Sequence, residues 1–217
     1  MKEVTRILIA DDHPIFRDGL VRTIERTPGY VIVAQVGNGA DALKSITELH
    51  PDLALLDVSM PEMDGLEVAR RVHKLAILTE IVILTMYSDE RYFHTALDLG
   101  VRGYIVKDSV ASELLACIEA VNAGRYYTSP VFSSLLVERN DGRVTSAGAL
   151  PPFNQLTPAE RTILKLVSEN KTSKEIGQAL FVSTRTVENH RTHICQKLGV
   201  KGHNALLQFA LENKFKF

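Results

Sequence analysis

The chain has 217 residues, 45% hydrophobic and 24% charged, which fits one large or two ordinary globular domains. No apolar run approaches the roughly 18 residues of a membrane span, and the opening MKEVTRILIADDHP lacks the long apolar core and cleavage site of a secretory signal. The net charge of −1 hides an asymmetry: residues 1–153 carry 15 Lys and Arg against 21 Asp and Glu (net −6), whereas residues 154–217 carry 10 against 5 (net +5), so the basic part is a candidate for phosphate contact.

In chain order, Ile7-Leu8-Ile9-Ala10 is a short apolar run that stops at Asp11 and Asp12. Pro14 opens a helix with Ile15, Phe16, Gly19, Leu20 and Ile24 spaced for one buried face. After Pro28-Gly29 come a strand at Val31–Ala34 and a helix from Gly39. A third strand, Leu53–Leu56, ends at Asp57, and a helix follows over Leu66–Val72. A fourth, Ile81–Leu84, ends at Thr85 and leads into a helix through Ala96 and Leu99. A fifth, Tyr104–Val106, ends at Lys107 and is followed by a helix over Ser109–Ala123.

Five such β–α units with apolar, non-alternating strands predict a parallel sheet covered by helices on both faces. Ligand sites in such sheets lie at the carboxyl ends of the strands. Asp11, Asp12, Asp57, Thr85 and Lys107 all fall at that edge. Asp11 or Lys107 alone reads more readily as an ordinary turn or helix cap; five together point to a site. Clustered carboxylates repel one another unless they hold a hard cation such as Mg²⁺, which takes one or two carboxylates plus a phosphate oxygen. Such an ion keeps Asp57 ionised as a nucleophile toward phosphorus, with Lys107 and Thr85 receiving phosphoryl oxygens.

After Gly124 a short helix over 129–137 is expected. Arg139–Asn154 holds glycines, two prolines and no helical period, as a linker does. Residues 155–217 read as all helix. Thr157-Pro158-Ala159-Glu160 and Thr172-Ser173-Lys174-Glu175 are capping boxes. Phe181-Val182-Ser183 is a tight turn, Ser183 or Thr184 caps a third helix with Val187, Ile194 and Leu198 on its buried stripe, and Gly199 ends it. A last helix runs from about Asn204. Two short helices about a turn suggest a helix-turn-helix, with Gly177 at their crossing. The outward face of the second helix then carries Arg185, Glu188, Asn189, Thr192 and Gln196 toward base edges. Lys174, Arg185, Arg191 and Lys197 serve for phosphates. His190 lies near the buried stripe and reads as packed rather than base-reading. A small protein-interaction module is the competing interpretation of this half. Cys117 and Cys195 lie far apart, outside any CxxC pattern, and read as reduced thiols of a cytoplasmic protein.

The segments ADDHP, LLDVSMPEMDG, ILTMYSD and GVRGYIVKDS resemble a two-component receiver domain over about residues 4–124. LTPAERTILKLV, TSKEIGQAL and STRTVENHRTHICQKLGV resemble a LuxR-type DNA-binding domain, so the whole chain is similar to a NarL/FixJ-type response regulator. The resemblance implies a doubly wound, flavodoxin-like five-stranded parallel sheet of order 2-1-3-4-5, joined to an all-α, four-helix helix-turn-helix domain. The implied division is a receiver at 1–125, a linker at 126–154 and a DNA-binding domain at 155–217. It also implies that Asp57 accepts phosphate from a sensor histidine kinase. Mg²⁺ (or Mn²⁺) is then bound by Asp12, Asp57 and the backbone carbonyl of Ser59, with Asp11 acting through water. Thr85 and Lys107 are implied phosphate contacts, and Tyr104 the aromatic that turns inward with Thr85. Pro61 and Gly65 match the pocket rim, and Ser59, Met86 and Tyr87 tune phosphoryl lifetime by shielding.

For DNA the expected set is Lys174, Thr184, Arg185, Thr186, Glu188, Asn189, Arg191, Thr192 and Lys197. Leu207 and Leu211 on the last helix are the dimer contact. Gly177, where alanine is usual, and Gly202-His203-Asn204, where arginine is usual, depart from the pattern. The implied function is a cytoplasmic, phosphorylation-switched transcription factor that dimerises on double-stranded DNA, with RNA polymerase as a further partner and no membrane association. It is not an enzyme beyond Mg²⁺-dependent self-phosphorylation and autodephosphorylation at Asp57. An aspartate-nucleophile phosphohydrolase is the first rival, weakened because Ser59 stands where such enzymes carry a second acid. A phosphate-independent regulator is the second.

Overall fold

The computed structural model describes residues 4–86, 90–132, 156–201 and 204–212. Tyr87, the expected linker stretch Arg139–Asn154 and Gly202-His203 lie outside the described residues, as does most of the helix expected over 129–137. Six strands form one sheet: β1 Thr5–Ala10, β2 Tyr30–Val36, β3 Leu53–Asp57, β4 Glu80–Thr85, β5 Gly103–Val106 and β6 Tyr127–Thr128, in the order β2-β1-β3-β4-β5-β6. Every pairing is parallel. The helices between them are α1 Pro14–Glu25, α2 Gly39–Leu49, α3 Gly65–Lys74, α4 Glu90–Asp98 and α5 Val110–Asn122.

The strands carry apolar side chains on both faces because both faces are covered. Leu8, Ala54, Leu56, Ile83 and Tyr104 pack toward α2, α3 and α4. Their neighbours Ile7, Ile9, Leu53, Leu55, Val82 and Ile105 pack toward α1 and α5. The chain order reverses between β1 and β3, which opens a crevice at their carboxyl ends.

The structure corrects the expectation for α1. Leu20 and Ile24 are buried and Phe16 is partly buried, but Ile15 is 89% exposed and Gly19 is also outside. Phe16, Leu20 and Ile24 repeat every four residues on one row, and Ile15 and Gly19 lie on the neighbouring row, which turns to solvent. A second difference follows α5. β6 pairs with β5 (Gly103 with Tyr127), and the 3-10 turn Pro130–Phe132 buries Phe132. Its ring stacks on Phe93 at 5.0 Å between centroids and meets Tyr104 edge-on. A sixth strand thus stands inside the stretch expected as linker, and the part of the expected 129–137 helix that is described is this 3-10 turn.

The second unit contains α6 Pro158–Ser168, α7 Ser173–Leu180, α8 Thr184–Leu198 and α9 Ala205–Glu212. Both capping boxes form, with Thr157 and Glu160 exchanging hydrogen bonds at α6 and Thr172 and Glu175 doing so at α7. Ser183 caps α8, and Gly199 ends it in the left-handed region at φ 67°. A Cβ on Gly177 would sit 2.9 Å from the Val182 carbonyl oxygen, so with alanine, usual at this position, the turn would have to shift slightly away from α7. Ile163, Leu164, Ile176, Val187 and Ile194 form the core, and Leu78 from the loop before β4 joins it. The two units therefore share a packed seam.

Candidate functional site

At the carboxyl edge of the sheet, Lys107 Nζ lies 2.8 Å from Asp57 Oδ2 and 2.8 Å from Asp11 Oδ2. Asp57 is 2% exposed and Asp11 fully buried. Asp57 Oδ1 accepts from the Ser59 backbone N–H at 3.2 Å. Burial pushes the Asp57 carboxyl up, against the Lys107 hydrogen bond and charge that favour its ionised form; Asp11 adds to the rise. Burial also opposes the Lys107 charge, but Asp11 and Asp57 outweigh it and hold the ammonium above its ordinary value. The Phe16 ring closes over Nζ at 4.8 Å.

Asp12 lies at the mouth, 32% exposed, with its carboxylate 2.7 Å from His13 Nδ1. Ligand atoms of Asp11, Asp12, His13 and Asp57 all lie within 4.8 Å of one another. Three carboxylates on one ammonium leave excess negative charge, which suits a hard divalent cation with water filling its remaining positions. Asp11, Asp12 and Asp57 thus converge as expected.

Thr85 ends β4 one residue beyond Leu84, which pairs with Asp57, and is fully buried. Tyr104 is already inward at 2% exposure, edge-on to Phe93 at 5.3 Å. Ser59 is exposed and Met86 is 58% exposed at the rim. Gly65 has a close-approach role: a Cβ there would lie 2.2 Å from the Asp57 carbonyl oxygen. Ser129, which the sequence did not single out, accepts from the Val106 N–H at 3.0 Å and donates to Glu113 at 2.6 Å, tying β5 to the segment after β6.

In the helical unit, Lys174, Glu188 and Thr192 are exposed, and Thr184, Arg185, Asn189, Arg191 and Lys197 are partly buried. Thr186 departs from its expected role. It is 2% exposed, and its hydroxyl donates to Asp52 Oδ1 of the receiver unit. His190 is buried as expected, but against Glu80 of the other unit. Leu207 is half-buried on the core and Leu211 is 52% exposed.

The seam holds residues that sequence reasoning missed: Asp52, Glu80, Arg102, Glu160 and His193. Arg102 reaches Glu80 at 3.7 Å and Glu160 at 3.5 Å, all three nearly fully buried. Lys197 reaches Glu160 at 2.6 Å. His193 lies 3.4 Å from Glu80, and burial, helped by Arg102 and His190, drives its imidazole down to about 2, so it is neutral. The available signal was a charged residue, Glu80 or Arg102, at the start of an otherwise apolar strand.

The α8 residues in the seam are Thr186, His190, His193 and Lys197, one stripe at helical spacing beside the outward face. The receiver thus lies along one side of this helix, next to its outward face. An α-helix with side chains is about 10–12 Å wide, and the major groove is about 12 Å wide.

Comparison with known proteins bears on both halves. Residues 7–119 match the response regulator receiver domain, and residues 154–210 match the luxR family of bacterial regulatory proteins. The chain is a response regulator of the NarL/FixJ type. It is 35% identical over 212 residues to the oxygen regulatory protein NreC of Staphylococcus aureus, covering 96% of this chain and 98% of that one. Among solved structures it resembles a LuxR-family two-component response regulator from Aurantimonas sp. SI85-9A1 (34% identity, 64% of this chain and 99% of that one, TM-score 0.59). It also resembles RcsB of Salmonella enterica serovar Typhimurium, bound to a promoter in the presence of the phosphomimetic BeF3⁻ (25% identity, 94% and 97%, TM-score 0.58). The family is one of transcription regulators rather than classical enzymes. No helix among the described residues is long and apolar enough to cross a membrane.

Proposed function

We propose that Asp57 is the phosphoacceptor of this response regulator and that its phosphorylation frees α8 for DNA. The observation that carries the reading is the Lys107 ammonium held 2.8 Å from both Asp57 and Asp11 in the buried edge of the sheet. The Asp57 carboxylate attacks the phosphorus of a phosphohistidine on a sensor kinase, the N–P bond breaks, and the imidazole leaves. Lys107 moves from the carboxylate to a phosphoryl oxygen, and the Thr85 hydroxyl hydrogen-bonds another. Asp12, Asp57 and the Ser59 carbonyl would hold Mg²⁺ or Mn²⁺, with Asp11 through water; bound there, the cation neutralises charge on the transferring group. Ser59, Met86 and Tyr87 set the lifetime of the acyl phosphate.

Asp57 and the seam lie at opposite ends of β3, with Asp52 just before Leu53. The new charge at Asp57, about −1.5 to −2, draws on Thr85, beside β5. Tyr104 and Arg102 lie on and next to β5, so a shift of that strand loosens the Arg102 pairs with Glu80 and Glu160. The released unit dimerises through the α9 face bearing Leu207 and Leu211. Arg185, Glu188, Asn189 and Thr192 then read bases, while Lys174, Thr184, Arg191 and Lys197 hold phosphates, with Thr186 available once it leaves Asp52. RNA polymerase is a further partner. We place the end of the receiver beyond Phe132 rather than at 125, because β6 and Phe132 complete its sheet and core.

The test is phosphorylation by acetyl phosphate with Mg²⁺, followed by intact mass. The wild-type chain gains one phosphoryl group and Asp57→Asn gains none; equal labelling of the two refutes the assignment.

A further inference from the structure

The seam contains a second cluster, far from Asp57, that hydrogen bonding leaves unexplained. Glu80, His190 and His193 have side chains 5%, 10% and 0% exposed. Among the described residues, Glu80 Oε1 and both ring nitrogens of His190 are buried with no hydrogen-bond partner, and for hydrogen bonding the buried His193 has only the Gly124 backbone beside it. Polar atoms so placed are costly, because a buried polar atom without a partner forfeits its hydration.

Their geometry suits a metal. Glu80 Oε1 lies 3.4 Å from His193 Nδ1 and 3.8 Å from His190 Nε2, and one ligand atom from each residue falls within 4.8 Å of the others. Tetrahedral zinc with bonds of about 2.0–2.1 Å separates its N and O ligands by roughly 3.3–3.4 Å. The two distances from Glu80 are therefore within about half an ångström of that separation. His190 and His193 are i and i+3 on α8, which puts both imidazoles on one face. Arg102 approaches the other carboxylate oxygen, Oε2, and so orients Glu80 while leaving Oε1 open. Gly124 makes room for the second imidazole, since a Cβ there would stand 2.8 Å from His193 Nε2. A cavity of about 50 Å³ bordered by Glu80 and His190 leaves room for a water on that side of the cluster.

We propose that Glu80, His190 and His193 form a site for a divalent transition metal of the zinc class, which clamps α8 to the receiver. One carboxylate and two neutral imidazoles are the ligand set of an open zinc site. The carboxylate comes from β4 of the receiver and the imidazoles from the DNA-binding unit, so the complete site exists only when the two are docked. The metal therefore favours the closed arrangement by mass action and opposes DNA binding.

The test is calorimetric titration of the full unphosphorylated chain with Zn²⁺ in excess Mg²⁺, which keeps the Asp57 pocket filled, beside His193→Gln and Glu80→Gln. The wild type is expected to take up one equivalent of Zn²⁺, and each variant to bind it at least tenfold more weakly. Co²⁺ should give the wild type the intense visible bands of a tetrahedral N/O site. A promoter titration with Zn²⁺ present should show tenfold weaker DNA binding for the wild type and no change for the variants. Wild-type chain without zinc uptake or tetrahedral Co²⁺ bands overturns the site, whether or not the variants fold. Undiminished uptake by folded variants overturns it too. Zinc uptake that leaves DNA binding unchanged keeps the site and overturns the clamp.

Discussion

The Thr186 hydroxyl on α8 donates its hydrogen bond to Asp52, the residue that precedes the strand ending in Asp57. One five-residue strand thus separates α8 from the Asp57 carboxylate. A hydrogen bond to a charged group contributes about 1.5–3 kcal/mol. Asp52→Ala removes this acceptor without touching the outward face of α8. The unphosphorylated chain is expected to bind DNA about tenfold more tightly, with a smaller further gain on activation, as measured by fluorescence anisotropy. Arg6 also donates its backbone N–H to Asp52 at 2.8 Å, so a modest loss of receiver stability is expected as well.

Arg102 offers a second test of the seam. Replacing it with Met leaves Glu80 and Glu160 buried without their shared guanidinium, and breaking a buried pair costs about 3–5 kcal/mol. Undocking relieves that cost by exposing both acids. The expected outcome is a larger radius of gyration by small-angle scattering, with each unit still folded by circular dichroism.

Phe132→Ala tests where the receiver ends. The ring is 1% exposed between Phe93 and Tyr104, and truncating a core phenylalanine costs about 3–5 kcal/mol. Urea denaturation should show that loss. A residue in a mere linker would show almost none.

Gly65→Ala tests the pocket rim. The new Cβ meets the Asp57 carbonyl at 2.2 Å, and that contact is with backbone that cannot swing aside. Displacing it costs about 1–3 kcal/mol and misplaces the carboxylate, so the rate of phosphorylation by acetyl phosphate should fall at least tenfold.

The thiols give a chemical check on packing. Burial, with Glu113 adding, pushes the Cys117 thiol far up, and burial raises Cys195 less completely because Arg191 opposes it. A raised pKa means less thiolate at any given pH, and thiolate is the reactive form. A disulfide reagent at mildly alkaline pH should modify Cys195 slowly in the native chain and Cys117 only after unfolding.

The receiver was legible in the sequence because most of its strands are short apolar runs that stop at or just before a polar residue, and topology alone brings those ends together. Capping boxes, the tight turn and Gly199 made the helical half legible too. Less visible were features decided by partners distant in sequence. Ile15 looks apolar and lies on the solvent row of α1. Tyr127-Thr128 is too short to read as a strand until Gly103 pairs with it. Thr186 and His193 belong to a helix face that no periodicity marks as buried, because its covering comes from Asp52, Glu80 and Gly124 in the other unit.

Chemistry at Asp57 is expected to control access to α8 through the seam. The measurement that tests it most directly is promoter binding by the full chain with and without BeF3⁻ and Mg²⁺, beside Asp57→Asn under the same conditions. The expected result is weak binding by the unmodified chain, tighter binding by at least tenfold on adding BeF3⁻, and no response in Asp57→Asn. Equal affinity of the wild type in both states would contradict it.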